Sequence, residues 1–391
     1  MCYNSTVKTK AMASQNVKFR NLYETLKGKI LSGQYNSDRP LPSVRALMER
    51  SGLSSSTVRH AFAELERVGL VVRNRGSGTF VTPTALTRKI GLIVPGIAYS
   101  EFFQPIVCEI SRLSQERGYT LLFGNITSKD PSRRASQAKR FAKDLVREGV
   151  AGVICQPLEF VEDSERLNQE ILSIFDAAKV AVVFFDCDYV LPPRRSNYDV
   201  VGINNYDAGY RLGDHLMSKK AKKVDFLAHP NSAAAQVNRM RGVTAAVKAR
   251  GGKDRTLVAA PDDIAAIRSH LKETRPDAIL CGDDHTAAML MKTLAKLGLR
   301  VPDDILIAGF DDVQIASLTT PGLTTIHQPC EDIAREVFRA LLDRIADRTR
   351  PAREIYLPAP LVERGSTCRE SKDKAPRRQV HTAESALKRE I

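Results

Sequence analysis

Within Leu53-Ser-Ser-Ser-Thr-Val-Arg59, hydroxyls and one guanidinium crowd the opening of a short amphipathic segment. Ser55, Ser56 and Thr57 can bond phosphate oxygens or base edges, and Arg59, one helical turn along, can reach a guanine edge with two parallel hydrogen bonds. Arg45 upstream and Arg75 downstream can each meet a phosphate or a minor groove. The alternative is a three-helix scaffold whose arginines are merely solvated. A second polar set lies far along the chain: Asp284 stands between a strand-like and a helical run, and Asp186 ends another strand-like run. Such carboxylates can accept hydroxyls, which suits a polyol, whose groups both donate and accept. Other chemistry finds little support. The seven histidines are scattered singly, and neither a G-x-S-x-G elbow, a Walker loop nor a metal-binding His pair is present. His285 beside Asp284 would serve equally as a helix residue without a ligand. The reading is therefore no enzyme, no cofactor and no metal.

The elements that must hold the first set are legible. Phe19, Leu22, Tyr23, Leu26 and Ile30 share one helical face, ending near Gly33. Ser43 can cap a short helix carrying Val44, Leu47 and Met48, Gly52 breaks it, and Ser54 can cap a third carrying Val58, Ala61, Phe62 and Leu65. Runs Leu70–Arg73 and Thr79–Thr82 flank Asn74-Arg-Gly-Ser-Gly78, a hairpin signal; no helix follows Gly76 and Gly78, so they serve a turn rather than a phosphate loop. This is a helix-turn-helix with a wing. Residues 1–89 hold 15 Lys/Arg against 5 Asp/Glu, residues 90–365 hold 37 against 36, and the chain carries +14. The basicity belongs to the head and suits a polyanion, since neutralising phosphates releases condensed counterions.

Beyond residue 89 the pattern becomes strand followed by amphipathic helix, repeated. Candidate strands are Ile90–Val94, Tyr119–Phe123, Gly152–Cys155, Val180–Phe185, Val200–Ile203, Val224–Leu227, Thr256–Ala259, Ala278–Cys281 and Ile305–Ala308, with helices such as Phe103–Arg117, Asp207–Ser218, Asp284–Leu297 and Asp332–Ala346. Alternation on this scale predicts α/β architecture with helices on both faces of parallel sheets. Nine strands exceed one compact sheet, so two doubly wound lobes are expected, with a cleft at their strand C-termini. The expected division is a flexible segment over 1–17, a winged head over 18–82, a linker over 83–89, a two-lobed domain over 90–365 and a disordered basic tail over 366–391. Cys2, Cys108, Cys155, Cys187, Cys281, Cys330 and Cys368 form no Cys-x-x-Cys pair and read as buried thiols in a reducing cytoplasm. No window is apolar enough for a membrane span or a signal peptide, which argues against a transport receptor.

Two resemblances add to this. Lys29-Ile-Leu-Ser-Gly33, Leu41-Pro-Ser-Val-Arg45, Leu53 to Arg59, Ala63-Glu-Leu-Glu-Arg-Val-Gly-Leu70 and Arg75-Gly-Ser-Gly-Thr-Phe-Val81 resemble the winged-helix domain of the GntR family over residues 18 to 82. That resemblance implies double-stranded operator DNA as partner, touched by Arg45, Ser55, Ser56, Thr57, Arg59, Arg75 and Gly76. Ser55 stands where the family often has arginine, a departure that bears on which operator is read.

Lys89-Ile-Gly-Leu-Ile-Val-Pro95, Gly149-Val-Ala-Gly-Val-Ile154, Asn204-Asn-Tyr-Asp-Ala-Gly209, Arg239-Met-Arg-Gly242, Cys281-Gly-Asp-Asp284, Gly309-Phe-Asp-Asp312 and Leu323-Thr-Thr-Ile-His-Gln-Pro329 are similar to the LacI/GalR effector domain. That domain is related to the type I periplasmic-binding-protein-like sugar receptors. The resemblance implies a small-molecule sugar effector held by Asp284 and Arg239, with aromatic stacking or shape selection from Tyr99, Ser100, Phe102 and Phe103. Asp186, Gln156 and Asn205 complete the candidate set. An interlobe salt bridge is the alternative for Arg239 and Asp284, and plain core packing for the aromatics. Such a head on such a sensor resembles the arabinose-repressor type of regulator. The expectation is a cytoplasmic homodimer that represses carbohydrate-utilisation genes until a sugar releases it.

Overall fold

Ser43 and Gly52 bracket a short helix in the head. In the computed structural model, which describes residues 18–369 apart from 31–33, 36–37, 68, 75, 83–87, 96, 98–99, 125, 127, 129 and 230–231, residues 18–30 are helical (α1). They are followed by α2 (Val44–Ser51) and α3 (Ser55–Arg67). The Ser43 hydroxyl accepts from Ala46 N at 3.2 Å, and Gly52, at φ 66°, closes α2 with its N–H on Met48 O. The Ser54 hydroxyl accepts from Thr57 N at 3.3 Å and opens α3. Strands β1 (Val71–Asn74) and β2 (Gly78–Val81) form the antiparallel wing, Val71 opposite Val81 and Asn74 opposite Gly78. Leu26, Ile30, Leu47, Val58, Leu65 and Val71 share one apolar core, so the wing packs on the helices that present it.

The first lobe begins with β3 (Arg88–Ile93), α4 (Phe103–Glu116), β4 (Tyr119–Phe123), α5 (Pro131–Arg147), β5 (Gly152–Cys155), α6 (Ser164–Ala177), β6 (Ala181–Asp186) and β7 (Asp199–Ile203). The second follows with α7 (Asn205–Ser218), β8 (Val224–Ala228), α8 (Ala234–Ala249), β9 (Thr256–Val258), α9 (Ile264–Thr274), β10 (Ala278–Cys281), α10 (Asp284–Lys296), β11 (Leu306–Ala308), α11 (Gln314–Leu318) and β12 (Thr325–Ile326). The chain then returns as α12 (Cys330–Ala346) and β13 (Glu354–Leu357) to lobe one, and crosses once more to β14 (Leu361–Val362). Lobe one carries a six-stranded parallel sheet in the order β13-β7-β6-β5-β3-β4, and lobe two a four-stranded parallel sheet in the order β11-β10-β8-β9. Every residue of β5, β6 and β7 is buried, as apolar runs covered by helices on both faces require.

The expected strands fall into these two sheets, but β13 was not foreseen. Its alternately exposed Glu-Ile-Tyr-Leu lies at a sheet edge and lacks the apolar run of a buried parallel strand. What seats it is Asp199 of β7, fully buried, which accepts from Arg344 Nη2 at 2.8 Å, Arg353 Nε at 3.2 Å and Arg353 N at 2.8 Å. Two passages between the lobes are zipped together, since β12 pairs antiparallel with β14 and His327 N donates to Pro360 O at 2.9 Å.

Two boundaries differ from expectation. β3 begins at Arg88, inside the expected linker, because that strand pairs with β4 from its first residue. Ser366 and Thr367 are buried rather than part of a disordered tail: the Ser366 hydroxyl donates to Ile307 O at 2.7 Å and accepts from Thr324 N at 2.8 Å. The expected segment 1–17, residues 83–87 of the linker and the tail from 370 onward lie outside the described residues. Among the described cysteines, Cys155, Cys187 and Cys281 are buried thiols and Cys330 is half-buried, but Cys108, outside the buried stripe of α4, and Cys368, just past the last helical turn, are exposed. No helix among the described residues is long and apolar enough to cross a membrane.

Candidate functional site

Ser55, Ser56, Thr57 and Arg59 lie on the first turns of α3. The Ser54 hydroxyl lies 3.0 Å from that of Ser56 and 2.8 Å from that of Thr57, so a cluster of hydroxyls sits at the positive end of the helix dipole, where phosphate oxygens are favoured. Arg59 is exposed, and no hydrogen bond or ion pair to it occurs among the described residues. Arg45 on α2 pairs with Glu49 at 3.0 Å, an exposed i,i+4 contact weak enough to yield to a phosphate. Gly76, at φ 82°, is exposed in the wing turn, and Gly78, at φ 117°, lies so near Pro40 that a Cβ would come within 3.0 Å of its Cβ. Arg75 lies outside the described residues.

The second candidate site is a cleft of about 630 Å³ at the C-terminal ends of both sheets. From lobe one, Ser100, Phe102 and Phe103 follow β3, Gln156 and Glu159 follow β5, and Asp186 ends β6. From lobe two come Gly282, Asp283 and Asp284 after β10, Asp311 after β11, and Gln236 and Arg239 on α8. The Ser100 hydroxyl accepts from Phe102 N at 3.3 Å. Phe102 and Phe103 stack edge to face with centroids 5.0 Å apart, and Phe103 meets Phe185 at 6.0 Å, so these aromatics are core residues that also wall the cleft. Tyr99 lies outside the described residues.

Arg239 and Asp284 do not pair, and no interlobe salt bridge joins them, because both belong to lobe two. The Arg239 guanidinium is buried over the Phe310 ring at 4.3 Å; Nε donates to Asn205 Oδ1 at 2.8 Å, and Nη1 donates to Gly282 O at 2.6 Å and faces Asp311 Oδ1 at 3.3 Å. Asn205 supports the arginine and lines not this cleft but a second cavity of about 460 Å³ that also reaches Asp186. The height of Arg239 is set by backbone contact between α7 and α8: a Cβ on Gly209 would fall 2.1 Å from Arg239 O, and one on Gly242 2.1 Å from Tyr206 O. Asp284 is fully buried, accepting from Thr325 Oγ1 at 2.6 Å and from Val313 N at 3.1 Å. Burial, with Asp311 as a second cause, pushes its carboxyl up to about 8. Burial likewise raises Asp311 against the pull of Arg239.

On the facing wall Asp186 takes φ 74°, a conformation L-residues rarely adopt, and Gly202 gives it room, since a Cβ there would lie 2.6 Å from Asp186 O. Burial, then the neighbouring Glu159, hold the Asp186 carboxyl well above the usual range. Glu159 accepts from Gln156 Nε2 at 3.0 Å and from Cys187 Sγ at 3.0 Å. Glu159, Asp311 and Gln236 were not foreseen. Glu159 could have been found from its place just past the C-terminus of β5, and Asp311 from the Gly309-Phe-Asp-Asp312 run; Gln236, on the first turn of a helix, carries no such signal.

Residues 18–81 match bacterial regulatory proteins of the gntR family, and residues 213–367 match a periplasmic binding protein-like domain. The arabinose metabolism transcriptional repressor of Geobacillus stearothermophilus is 28% identical over 368 residues, covering 90% of this chain and 97% of that one. The transcription regulator GntR from Chromobacterium violaceum superposes with TM-score 0.59 at 26% identity, over 72% of this chain and 99% of that one. A periplasmic binding protein/LacI transcriptional regulator from Alkaliphilus metalliredigens, solved with D-xylulofuranose, gives TM-score 0.60 at 25% identity, over 72% of this chain and 100% of that one. A gntR-type winged head joined to a two-lobed periplasmic-binding-protein-like domain makes this chain a transcriptional regulator of the GntR/LacI type.

Proposed function

We propose that the protein is a cytoplasmic homodimer that represses carbohydrate-utilisation genes and leaves its operator when a sugar binds between the lobes. The observation that carries this reading is the cleft itself. At about 630 Å³ it falls within the roughly 300–1,000 Å³ of small-molecule sites, and it combines aromatic walls with buried carboxylates, as polyol binding demands. The repressor relative is named for arabinose metabolism and a structural relative holds D-xylulofuranose, which supports a sugar as signal.

A sugar shifts the spacing of two heads only if it binds one arrangement of the lobes more tightly than the other. The two lobes contribute opposite walls, so a bound sugar would touch both and supply that difference. The test is operator binding by fluorescence anisotropy on DNA from the gene's own upstream region, with and without a panel of pentoses and hexoses. One sugar should weaken binding by about tenfold or more, equivalent to a coupling of 1.4 kcal/mol. Unchanged affinity across the whole panel would exclude sugar-released repression.

A further inference from the structure

Charge around the cleft separates what it can hold from what it must reject. Among the described residues six acidic side chains line it, those of Glu101, Glu159, Asp186, Asp283, Asp284 and Asp311, against the guanidiniums of Arg134 and Arg239. Both guanidiniums are engaged: Arg239 with Asn205, Gly282 O and Asp311, and Arg134 with the carbonyls of Glu159 and Phe160, each at 3.2 Å.

Helix openings are the other natural anion holders, and three reach the cleft. At α10 the Asp283 carboxylate accepts from Thr286 N at 2.8 Å and so sets an acidic group at that opening. The openings of α4 and α8 carry no side-chain cap, but the guanidiniums among the described residues lining the cleft are already engaged elsewhere.

On the lobe-one wall the arrangement is specific. Oxygens of Glu159 and Asp186 and the sulfur of Cys187 lie within 4.8 Å of one another. Glu159 has its donors in Gln156 and Cys187. Asp186, only 6% exposed, has none for Oδ1. A buried acceptor without a donor costs free energy until something supplies one.

We propose that the cleft selects a ligand rich in hydrogen-bond donors and free of anionic groups, seating a hydroxyl or ammonium on Asp186 Oδ1, and rejects the phosphate ester of the same carbon skeleton. This rests on the sugar reading above and narrows it to unphosphorylated sugars and amino sugars. A donor at Asp186 satisfies a buried acceptor, whereas a phosphate group would bring only further acceptor oxygens and charge to a wall whose guanidiniums, among the described residues, are already engaged.

The test is isothermal titration of the full chain with matched triplets of free sugar, amino sugar and phosphate ester. A free or amino form should bind, and its ester about 100-fold more weakly, as burying a charged group without a free counter-ion among acidic side chains predicts. Asp186→Asn should weaken the preferred ligand by about tenfold, and Asp186→Asn with Glu159→Gln should narrow the gap to the ester. An ester binding as tightly as its parent sugar overturns the proposal while leaving sugar sensing intact. If nothing in the panel binds although operator binding persists, the sugar reading falls and this inference with it. The comparison within wild-type protein needs neither variant to fold.

Discussion

Arg239 Nη1 stands 3.3 Å from Asp311 Oδ1, with the two side chains 5% and 9% exposed. This pair lies within one lobe, so its first role is to hold β11's end against α8. Removing one partner strands a buried charge, and Arg239→Ala should destabilise lobe two by about 3–5 kcal/mol. Denaturant unfolding of both single variants and the double Arg239→Ala/Asp311→Ala variant measures the coupling. The double should cost clearly less than the sum of the singles; simple additivity would show that the two charges do not depend on each other.

The second prediction concerns pH. The Asp284 carboxyl is raised to about 8 in the folded protein, mainly by burial, above the usual carboxylate value near 4. The folded state thus binds a proton that the unfolded state releases. The contribution is fully present below about pH 4 and is lost as pH rises through about 8, with a slope of at most about 1.4 kcal/mol per unit. Asp284→Asn keeps an oxygen for Val313 N and a donor for the Thr325 hydroxyl, so its stability should fall less over that window. Parallel stability–pH curves for wild type and variant would show that Asp284 is not held protonated.

On DNA, Arg59→Ala should cost about 1–3 kcal/mol at the specific operator and less on random sequence. Arg45→Ala should weaken both alike and lower the salt slope by about one phosphate contact. Titrations on both DNAs at several salt concentrations separate the roles; an equal loss on both DNAs for Arg59→Ala would reduce it to a backbone contact.

Gly209→Ala should be more damaging than Gly213→Ala on the same helix. The first Cβ meets Arg239 O at 2.1 Å, while the second meets Ala246 Cβ and Val243 Cα at 3.1 Å, a spacing small local shifts can relieve. Forcing the first should cost at least about 1–3 kcal/mol and push Arg239 off its position. Thermal midpoints read the stability difference, and equal midpoints for the two variants would rule out a decisive backbone contact at Gly209.

What the sequence made legible were elements with a strong local signature. Ser43, Gly52 and Ser54 announce the caps of the head, and buried runs such as Ala181–Phe185 announce parallel strands, because both depend on neighbours in sequence. Asp186 and Asp284 were legible from their place at strand ends. Their partners were not: Thr325 and Asp311 reach Asp284 and Arg239 only through the return of the chain beside β11, a contact without local periodicity. Glu354–Leu357 was missed for the same reason, since an edge strand held by Asp199 and two arginines shows no apolar run.

The three passages of chain between the lobes carry a genetic consequence. Lobe one draws on 88–203, Cys330–Ala346 and Glu354–Leu357, interrupted by the elements of lobe two. A recombination event that exchanged this lobe intact would need matched breakpoints at every passage, whereas the head, residues 18–81, is one unbroken stretch that shares no strand with either lobe. DNA specificity can therefore be reassorted among sensors as one contiguous block, while the two walls of the cleft must be inherited together.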